Sequence, residues 1–207
     1  MLAVIAREIG PADQVVDCVS QAEPPAPAQG EVLLEMLAMS INPADLLMIE
    51  GRYGVAAEPP FTPGFEGIGQ VLACGDGVDD IAPGDLVLPG GGGCWRERLV
   101  RRRDALVKLP PDVDPIQAAM LRANPATAWA MLESIPGLEP GEWVAQNAAN
   151  SAVGGYVHQL ARRRGVHVLA IVRREAAAAA ARASGAHAVL VDDGSLSLAD
   201  LARQAAP

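Results

Sequence analysis

The segment QNAANSAVGG (146–155) has the residue types and the position of a turn that holds a phosphate group. It lies between a predicted strand and a predicted helix, where a dinucleotide-binding fold needs a tight turn and free N–H groups at a helix N-terminus. Such a turn usually has three glycines, and Ala148, Ser151 and Gly154 stand in their places here, so only the last glycine is present. The context favours a pyrophosphate-binding turn, with an ordinary strand-to-helix turn as the alternative.

Two arginines follow the next predicted strand. Arg173 comes 19 residues after Gly154, and Arg174 and Glu175 follow it directly. At about this distance an acidic residue binds the ribose of NAD, whereas an arginine suits the additional phosphate of NADP. A solvated pair of charges at the end of a strand is the alternative. Together with the preceding turn, the arginines favour NADP over NAD.

Tyr53, in EGRYGV, is a rare aromatic residue placed among glycine and polar residues rather than on an apolar face. A tyrosine hydroxyl can donate a proton or form a hydrogen bond to a developing oxyanion. The alternative is a loop aromatic ring that covers the core. The other tyrosine, Tyr156, falls on a predicted helix and is expected to pack against its neighbours.

The histidines and cysteines do not follow a metal-binding pattern. His158 falls on a predicted helix, and His167 and His187 fall at the starts of strands, without a Cys or His partner at ligand spacing. The three cysteines are odd in number and widely separated, which excludes a disulfide framework and a CxxC motif. We therefore expect no bound metal, and we expect the three histidines to be satisfied on the surface.

The first half of the chain has the pattern of strands separated by turns. Short apolar runs occur at 32–39 and 67–74, and a third strand runs into a flexible loop within 85–93. One helix interrupts this region, because Asn42 is a natural N-cap, Pro43 occupies the first helical position and apolar residues follow.

After about residue 112 the pattern changes to alternating helices and strands. Two helices are predicted to begin near Asp114 and Pro125. The elements predicted after them are strands at 143–148, 166–172 and 187–191 and helices at 152–165, 175–185 and 197–206. This order is typical of a parallel sheet covered by helices. We predict an α/β protein with a β-rich domain over residues 1–112 and an incomplete doubly wound domain over residues 113–207.

Composition and charge restrict the class of protein further. Half of the 207 residues are hydrophobic and a fifth are charged, which is sufficient for a buried core. The formal net charge of −9 argues against nucleic acid or an anionic membrane as the main partner. The apolar run at the N-terminus is too short for a signal peptide or a membrane-spanning helix. These features predict a cytoplasmic protein with a small-molecule partner.

The first half of the chain resembles the N-terminal domain of medium-chain dehydrogenase/reductases in three strings, SINPADLLMIEGRYG (40–54), PGFEGIGQV (63–71) and PGDLVLP (83–89). Three later strings are most similar to the trans-2-enoyl-CoA (enoyl-thioester) reductases of this superfamily: ANPATAW (123–129), QNAANSAVG (146–154) and IVRRE (171–175). The resemblance extends over nearly the whole chain. It implies a GroES-like β-rich domain followed by a partial Rossmann doubly wound parallel sheet.

The resemblance also implies roles for particular residues. Tyr53 matches the proton-donor tyrosine, and Asn124 matches an asparagine that contacts NADP. The phosphate turn matches Ser151, Ala152, Val153 and Gly154, and the segment that holds the adenosine ribose and its phosphate matches Arg173, Arg174 and Glu175. Because the position of Ala152 is usually glycine, its methyl group is expected to crowd the pyrophosphate.

The resemblance accounts for the expected lack of zinc as well. Zinc alcohol dehydrogenases have Cys-His where this chain has Asn42 and Pro43, and a further His where it has Phe65. Zinc-dependent alcohol chemistry is therefore not expected.

The implied activity is the NADPH-dependent reduction of the C=C bond of a 2-enoyl thioester carried by CoA or by acyl carrier protein. Hydride adds to the β-carbon, charge develops on the carbonyl oxygen, and Tyr53 stabilises or protonates that species. Reduction of a quinone or an enone is a second interpretation. A third is a truncated, non-catalytic remnant, or a fragment that needs a partner chain, because family sheets have six strands and this sequence supplies three before Pro207. The oligomeric state stays open, with a homodimer as one candidate.

Overall fold

A computed structural model describes residues 1–192, 194, 197 and 203 of the chain. The chain divides into two compact units, Met1–Ala123 and Asn124–Pro207. The helix predicted at 197–206 lies outside the described residues, apart from two isolated positions. None of the helices in the described part is both long and apolar enough to cross a membrane.

The first unit, described throughout, is rich in antiparallel β-structure. Its strands are β1 Leu2–Ala6, β2 Val16–Ser20, β3 Glu31–Met39, β4 Gly67–Cys74, β5 Leu86–Pro89, β6 Arg98–Arg102 and β7 Leu106–Lys108. Its helices are α1 Ala12–Val15, α2 Pro43–Ile49 and α3 Pro115–Ala118, with a 3₁₀ turn at Arg103–Ala105. β1 pairs with β2, and the other strands form one sheet in the order β6-β3-β4-β5-β7. The predicted β-rich character is confirmed.

Alternation of side chains explains how this sheet is held. In β3, Val32, Leu34 and Met36 are buried and Glu35 is exposed, as expected for a strand with one face on the core. These residues pack with apolar side chains of the neighbouring strands, including Val71. The core of the unit therefore lies against one face of β3 and β4.

The second unit has a parallel sheet. Its described elements are α4 Asn124–Glu133, β8 Trp143–Gln146, α5 Ala152–Arg163, β9 His167–Val172, α6 Glu175–Ala183 and β10 Ala188–Val191. The strands lie in the order β10-β9-β8, and both pairings are parallel. The predicted alternation of strands and helices is confirmed for these residues, although β8 ends two residues before the end of the predicted strand. The carboxyl ends of β8 and β9 consequently open at the same edge of the sheet.

The division between the units falls after Ala123, whereas the change of pattern in the sequence is at residue 112. The physical reason is the packing of α3 and the residue that follows it. Ala118 and Ala119 are buried against Ile68 of β4 and Leu88 of β5, so this helix belongs to the first unit.

Candidate functional site

Tyr53 lies in the turn that follows α2. The helix ends at Ile49 and is followed by Gly51, whose φ of +68° is in the left-handed region that favours glycine. The tyrosine ring is 40% exposed and contacts Phe65, with the ring centroids 5.1 Å apart and the planes at 50°. Among residues 1–192 its hydroxyl has no hydrogen-bond partner. The hydroxyl is therefore available to a ligand, and the catalytic role of Tyr53 stays a prediction.

A buried polar network holds the start of the same helix. Asn42 is the N-cap, as predicted, and its backbone N–H donates to Asp45 Oδ2 at 2.7 Å. Asp45 is completely buried, and its second oxygen accepts the N–H of Phe65 at 2.8 Å. Burial raises the pKa of Asp45, with a smaller contribution from the charge of Glu66, whereas these hydrogen bonds oppose the shift. Asp45 thus joins α2 to the residue that contacts Tyr53.

Glu66 is the second buried carboxylate of this network, only 1% exposed. Its Oε1 accepts from Asn42 Nδ2 at 2.9 Å and from Ser40 Oγ at 3.2 Å. Its Oε2 accepts the backbone N–H of Ala123 at 2.8 Å, directly before Asn124. Glu66 was not among the residues predicted from the sequence, although a charged residue inside the apolar string PGFEGIGQV was a signal. Glu66 therefore connects the N-cap of α2 to the backbone directly before Asn124.

A pocket of about 390 Å³ lies beside Phe65 in the first unit. Met48 of α2, residues 62–64 and 91–93 and the side chain of Arg122 complete its lining. Phe65 contacts Tyr53 as well as lining the pocket, so the predicted proton donor and this cavity share a neighbour.

The predicted phosphate turn joins the end of β8 to the start of α5. Ala148 has a φ of +47°, a conformation that is uncommon for residues other than glycine. A Cβ atom at Gly154 would lie 2.3 Å from the carbonyl oxygen of Ala149, so only glycine permits this close approach. Ser151 is the N-cap, and its hydroxyl accepts the N–H of Gly154 at 3.1 Å. The N-terminus of a three-turn helix therefore meets the turn, which is an arrangement that favours an anion.

The structure brings this turn close to the predicted ribose segment. The N–H of Ala149 donates to the carbonyl oxygen of Ile171 at 3.4 Å, near the end of β9. Arg173, Arg174 and Glu175 follow that strand and are all exposed. Within residues 1–192 neither arginine forms an ion pair. The binding of a dinucleotide with an additional phosphate by the turn and the arginines stays a prediction.

The structure links the remaining predicted cofactor residues less directly to cofactor binding. Ala152 is the first residue of α5 and is exposed, and Val153 packs against the core between α4 and α5. Asn124 is the half-buried first residue of α4. Among the described residues no hydrogen bond joins its side chain to the phosphate turn. The roles of Ala152, Val153 and Asn124 stay predictions.

Two of the three histidines differ from the expectation, since His167 is half-buried and its Nδ1 has no hydrogen-bond partner among the described residues. His158 is completely buried, not on the surface, and its Nδ1 lies 2.6 Å from Ser184 Oγ. Burial lowers its pKa, with a smaller effect from the charge of His187. Its spacing from Gly154 and Ala161, which are buried on the same side of α5, was a signal for this position. Across the described residues, no group of three or more His, Cys, Asp or Glu side chains could hold a metal ion.

Comparisons with known proteins agree with this fold. The family model described as the alcohol dehydrogenase GroES-like domain matches residues 28–111. The mitochondrial enoyl-[acyl-carrier-protein] reductase of Homo sapiens is 43% identical over 145 residues, which are 69% of this chain and 39% of that protein. The chain spans less than half the length of the curated relatives it matches.

Two solved structures are similar over almost the whole chain. The mitochondrial 2-enoyl thioester reductase heterodimer of Candida tropicalis is 28% identical, with a TM-score of 0.85, and the match covers 96% of this chain and 62% of that one. The quinone oxidoreductase of Escherichia coli in complex with NADPH is 25% identical, with a TM-score of 0.87, and the match covers 99% of this chain and 62% of that one. The similarity therefore includes both the β-rich unit and the parallel sheet.

Proposed function

Because the chain belongs to the medium-chain dehydrogenase/reductase superfamily, we propose that it serves the NADPH-dependent reduction of the C=C bond of a 2-enoyl thioester. The observation that carries the proposal is the position of the phosphate turn and the two exposed arginines at one edge of the parallel sheet. The choice of an enoyl thioester rests on the 43% identity to an enoyl-[acyl-carrier-protein] reductase.

The second unit would hold the cofactor, which supplies a hydride when it is bound. The N-terminus of α5 would hold the pyrophosphate, and Gly154 permits the tight turn at this N-terminus because it leaves room for the carbonyl oxygen of Ala149. Arg173 and Arg174 would pair with the additional phosphate of NADP(H), because a guanidinium group matches phosphate geometry with two parallel hydrogen bonds. These side chains bind and orient, and they perform no bond-breaking step.

The first unit would supply the proton donor. Tyr53 holds a proton on its hydroxyl group, and the contact with Phe65 limits the positions of the ring. As negative charge develops on the thioester carbonyl oxygen, the hydroxyl donates a hydrogen bond to it or protonates the α-carbon of the resulting enolate. Asp45 and Glu66 act indirectly, because they fix α2 and Phe65.

The test is Tyr53→Phe, with Tyr156→Phe as the matched control. We expect the first variant to reduce the turnover of crotonyl-CoA by about 10²-fold or more and to leave the Kd of NADPH unchanged. The control removes a hydroxyl from the half-buried face of α5 and should change neither quantity. Unchanged turnover in Tyr53→Phe would remove this residue from the mechanism.

Quinone or enone reduction is the second candidate, favoured by the similarity to the Escherichia coli quinone oxidoreductase. Parallel assays with crotonyl-CoA and a quinone distinguish the two acceptors. Absence of NADPH binding by the 207-residue chain would favour the remnant or partner-dependent interpretation over both. A cytoplasmic location and a homodimer stay predictions.

A further inference from the structure

Four consecutive glycines, residues 90–93, follow β5 and form what we call the glycine loop. Gly91, Gly92 and Gly93 have φ values of +85°, +70° and +67°, so three successive residues are in the left-handed region. Glycine is the residue that adopts this conformation without steric cost. The same three residues line the 390 Å³ pocket beside Phe65. The glycine loop thus forms part of the pocket wall.

Two arginines hold the carbonyl oxygens of the glycine loop. Arg101 donates from Nε to the oxygen of Gly90 at 2.9 Å and from Nη2 to the oxygen of Gly92. Arg96 donates from Nε to the oxygen of Gly93 at 2.9 Å. These bonds fix the loop, whereas the glycine-rich sequence predicted a flexible one. They also direct the carbonyl dipoles toward positive charge.

The amide groups of the same loop have no such partners. Within residues 1–192, the N–H groups of Gly91, Gly92 and Gly93 make no hydrogen bond. Successive backbone N–H groups in turn conformations form concavities that bind anions. Among the described residues, the loop therefore has three unpaired donors, whereas three of its four carbonyl oxygens accept hydrogen bonds from arginines.

A third guanidinium group adds positive charge to the pocket. Arg122 lines the pocket, and its Nη1 lies where a side chain at Gly90 would stand, 2.6 Å from a Cβ placed there. Among the described residues Arg96, Arg101 and Arg122 form no ion pair with a carboxylate. Two buried carboxylates, Asp45 and Glu66, are bonded or adjacent to the pocket residue Phe65, and the oxygens of both already accept hydrogen bonds.

We propose that the glycine loop and Arg122 form a binding site for an anionic oxygen of the substrate. The amides of Gly91, Gly92 and Gly93 are the donors, and Arg122 provides the charge. A phosphate oxygen of the thioester carrier and the enolate oxygen that forms when hydride adds to the β-carbon have this chemistry in common. The identity of the ligand rests on the proposed function, whereas the ability to bind an anion does not.

The test is a titration of the 207-residue chain, labelled with ¹⁵N-glycine, with inorganic phosphate at constant ionic strength. We expect the amide signals of Gly91, Gly92 and Gly93 to shift in a saturable manner. Arg122→Gln should raise the Kd for phosphate about tenfold, because one charge-assisted contact is lost. The control is Arg102→Gln, an exposed arginine that pairs with Asp104, and it should leave the Kd unchanged.

Three results would overturn the proposal: immobile signals at these glycines, equal shifts with sodium chloride, or equal loss of affinity in the two variants. Arg122→Lys retains the charge and should retain most of the affinity, and dispersed signals from the other glycines show that each variant is folded.

Two further titrations separate the sources of the anionic oxygen. Coenzyme A has phosphates without an acyl group, and S-crotonyl-N-acetylcysteamine has a thioester without phosphates. Shifts of the loop amides with the first compound assign the site to the carrier, and shifts with the second assign it to the thioester carbonyl. If neither compound moves the amides although phosphate does, the substrate assignment is wrong. If the chain has no enoyl reductase activity, the proposed function is refuted, but the binding of phosphate to the glycine loop is not.

Discussion

Replacement of Glu66 tests how far the buried network supports the first unit. The carboxylate accepts hydrogen bonds from Ser40, Asn42 and the backbone of Ala123. In Glu66→Gln one oxygen becomes an NH₂ group, so either Asn42 Nδ2 or the N–H of Ala123 faces another donor. A buried donor without an acceptor costs about 1–3 kcal/mol, and this is the expected loss of stability. Glu66→Ala removes both acceptors and should cost about 2–6 kcal/mol.

Trp95 provides the assay, because its Nε1 donates to the carbonyl oxygen of Ser40 at 2.9 Å. Trp129 and Trp143 are the other tryptophans of the chain, and replacement of both by Phe leaves fluorescence that reports on the first unit. Urea unfolding then measures the free energy of that unit for each variant. Glu35→Gln, at an exposed position of β3, is the control and should change stability by less than about 0.5 kcal/mol.

The comparison of the two Glu66 variants shows whether the hydrogen bonds of Glu66 stabilise the first unit. If Glu66→Gln is as stable as the parent chain, the three hydrogen bonds do not hold the network. If it is as unstable as Glu66→Ala, the loss comes from a general disturbance of packing and not from the number of unpaired donors.

Three further predictions concern the second unit. Gly154→Ala should destabilise this unit in thermal unfolding by about 1–3 kcal/mol, because the new Cβ would overlap the carbonyl oxygen of Ala149. Gly155 lies in the same helix with open space around it, so the control Gly155→Ala should stabilise the unit by about 0.5–1 kcal/mol. Arg173→Ser should weaken NADPH binding by on the order of tenfold and leave NADH binding unchanged in fluorescence titrations, and equal losses would exclude a phosphate contact. Because burial lowers the pKa of His158, the unfolded chain takes up a proton at a higher pH than the folded chain, and stability should fall as pH decreases below about 6.5. His158→Asn should flatten this decrease between pH 8 and pH 5.5, and an unaltered slope would contradict the argument.

Local chemistry explains which parts of the fold were predictable. Helix α2 follows from Asn42 and Pro43, because capping and the fixed φ of proline act within one turn. The strand β9 follows from its continuous apolar run. In contrast, β6 contains Arg98, Arg101 and Arg102, which obscure the alternation of apolar and polar residues that is typical of a strand. Strand β1 can be recognised only together with its partner β2. Pairing between distant segments is the information that a local pattern lacks.

The candidate site divides in the same way. Tyr53 and the phosphate turn could be predicted because residue type and neighbours indicate their chemistry within a few positions. The residues that support them could not, because Glu66 acts through Ser40, 26 residues away, and through Ala123, 57 residues away. Burial raises the cost of an unpaired polar group, so a lone charged or polar residue in an apolar string must have found a distant partner. Glu66 in PGFEGIGQV and His158 in AVGGYVHQLA both satisfy that condition, and a polar residue in such a string is therefore the signal to use for supporting residues of this kind.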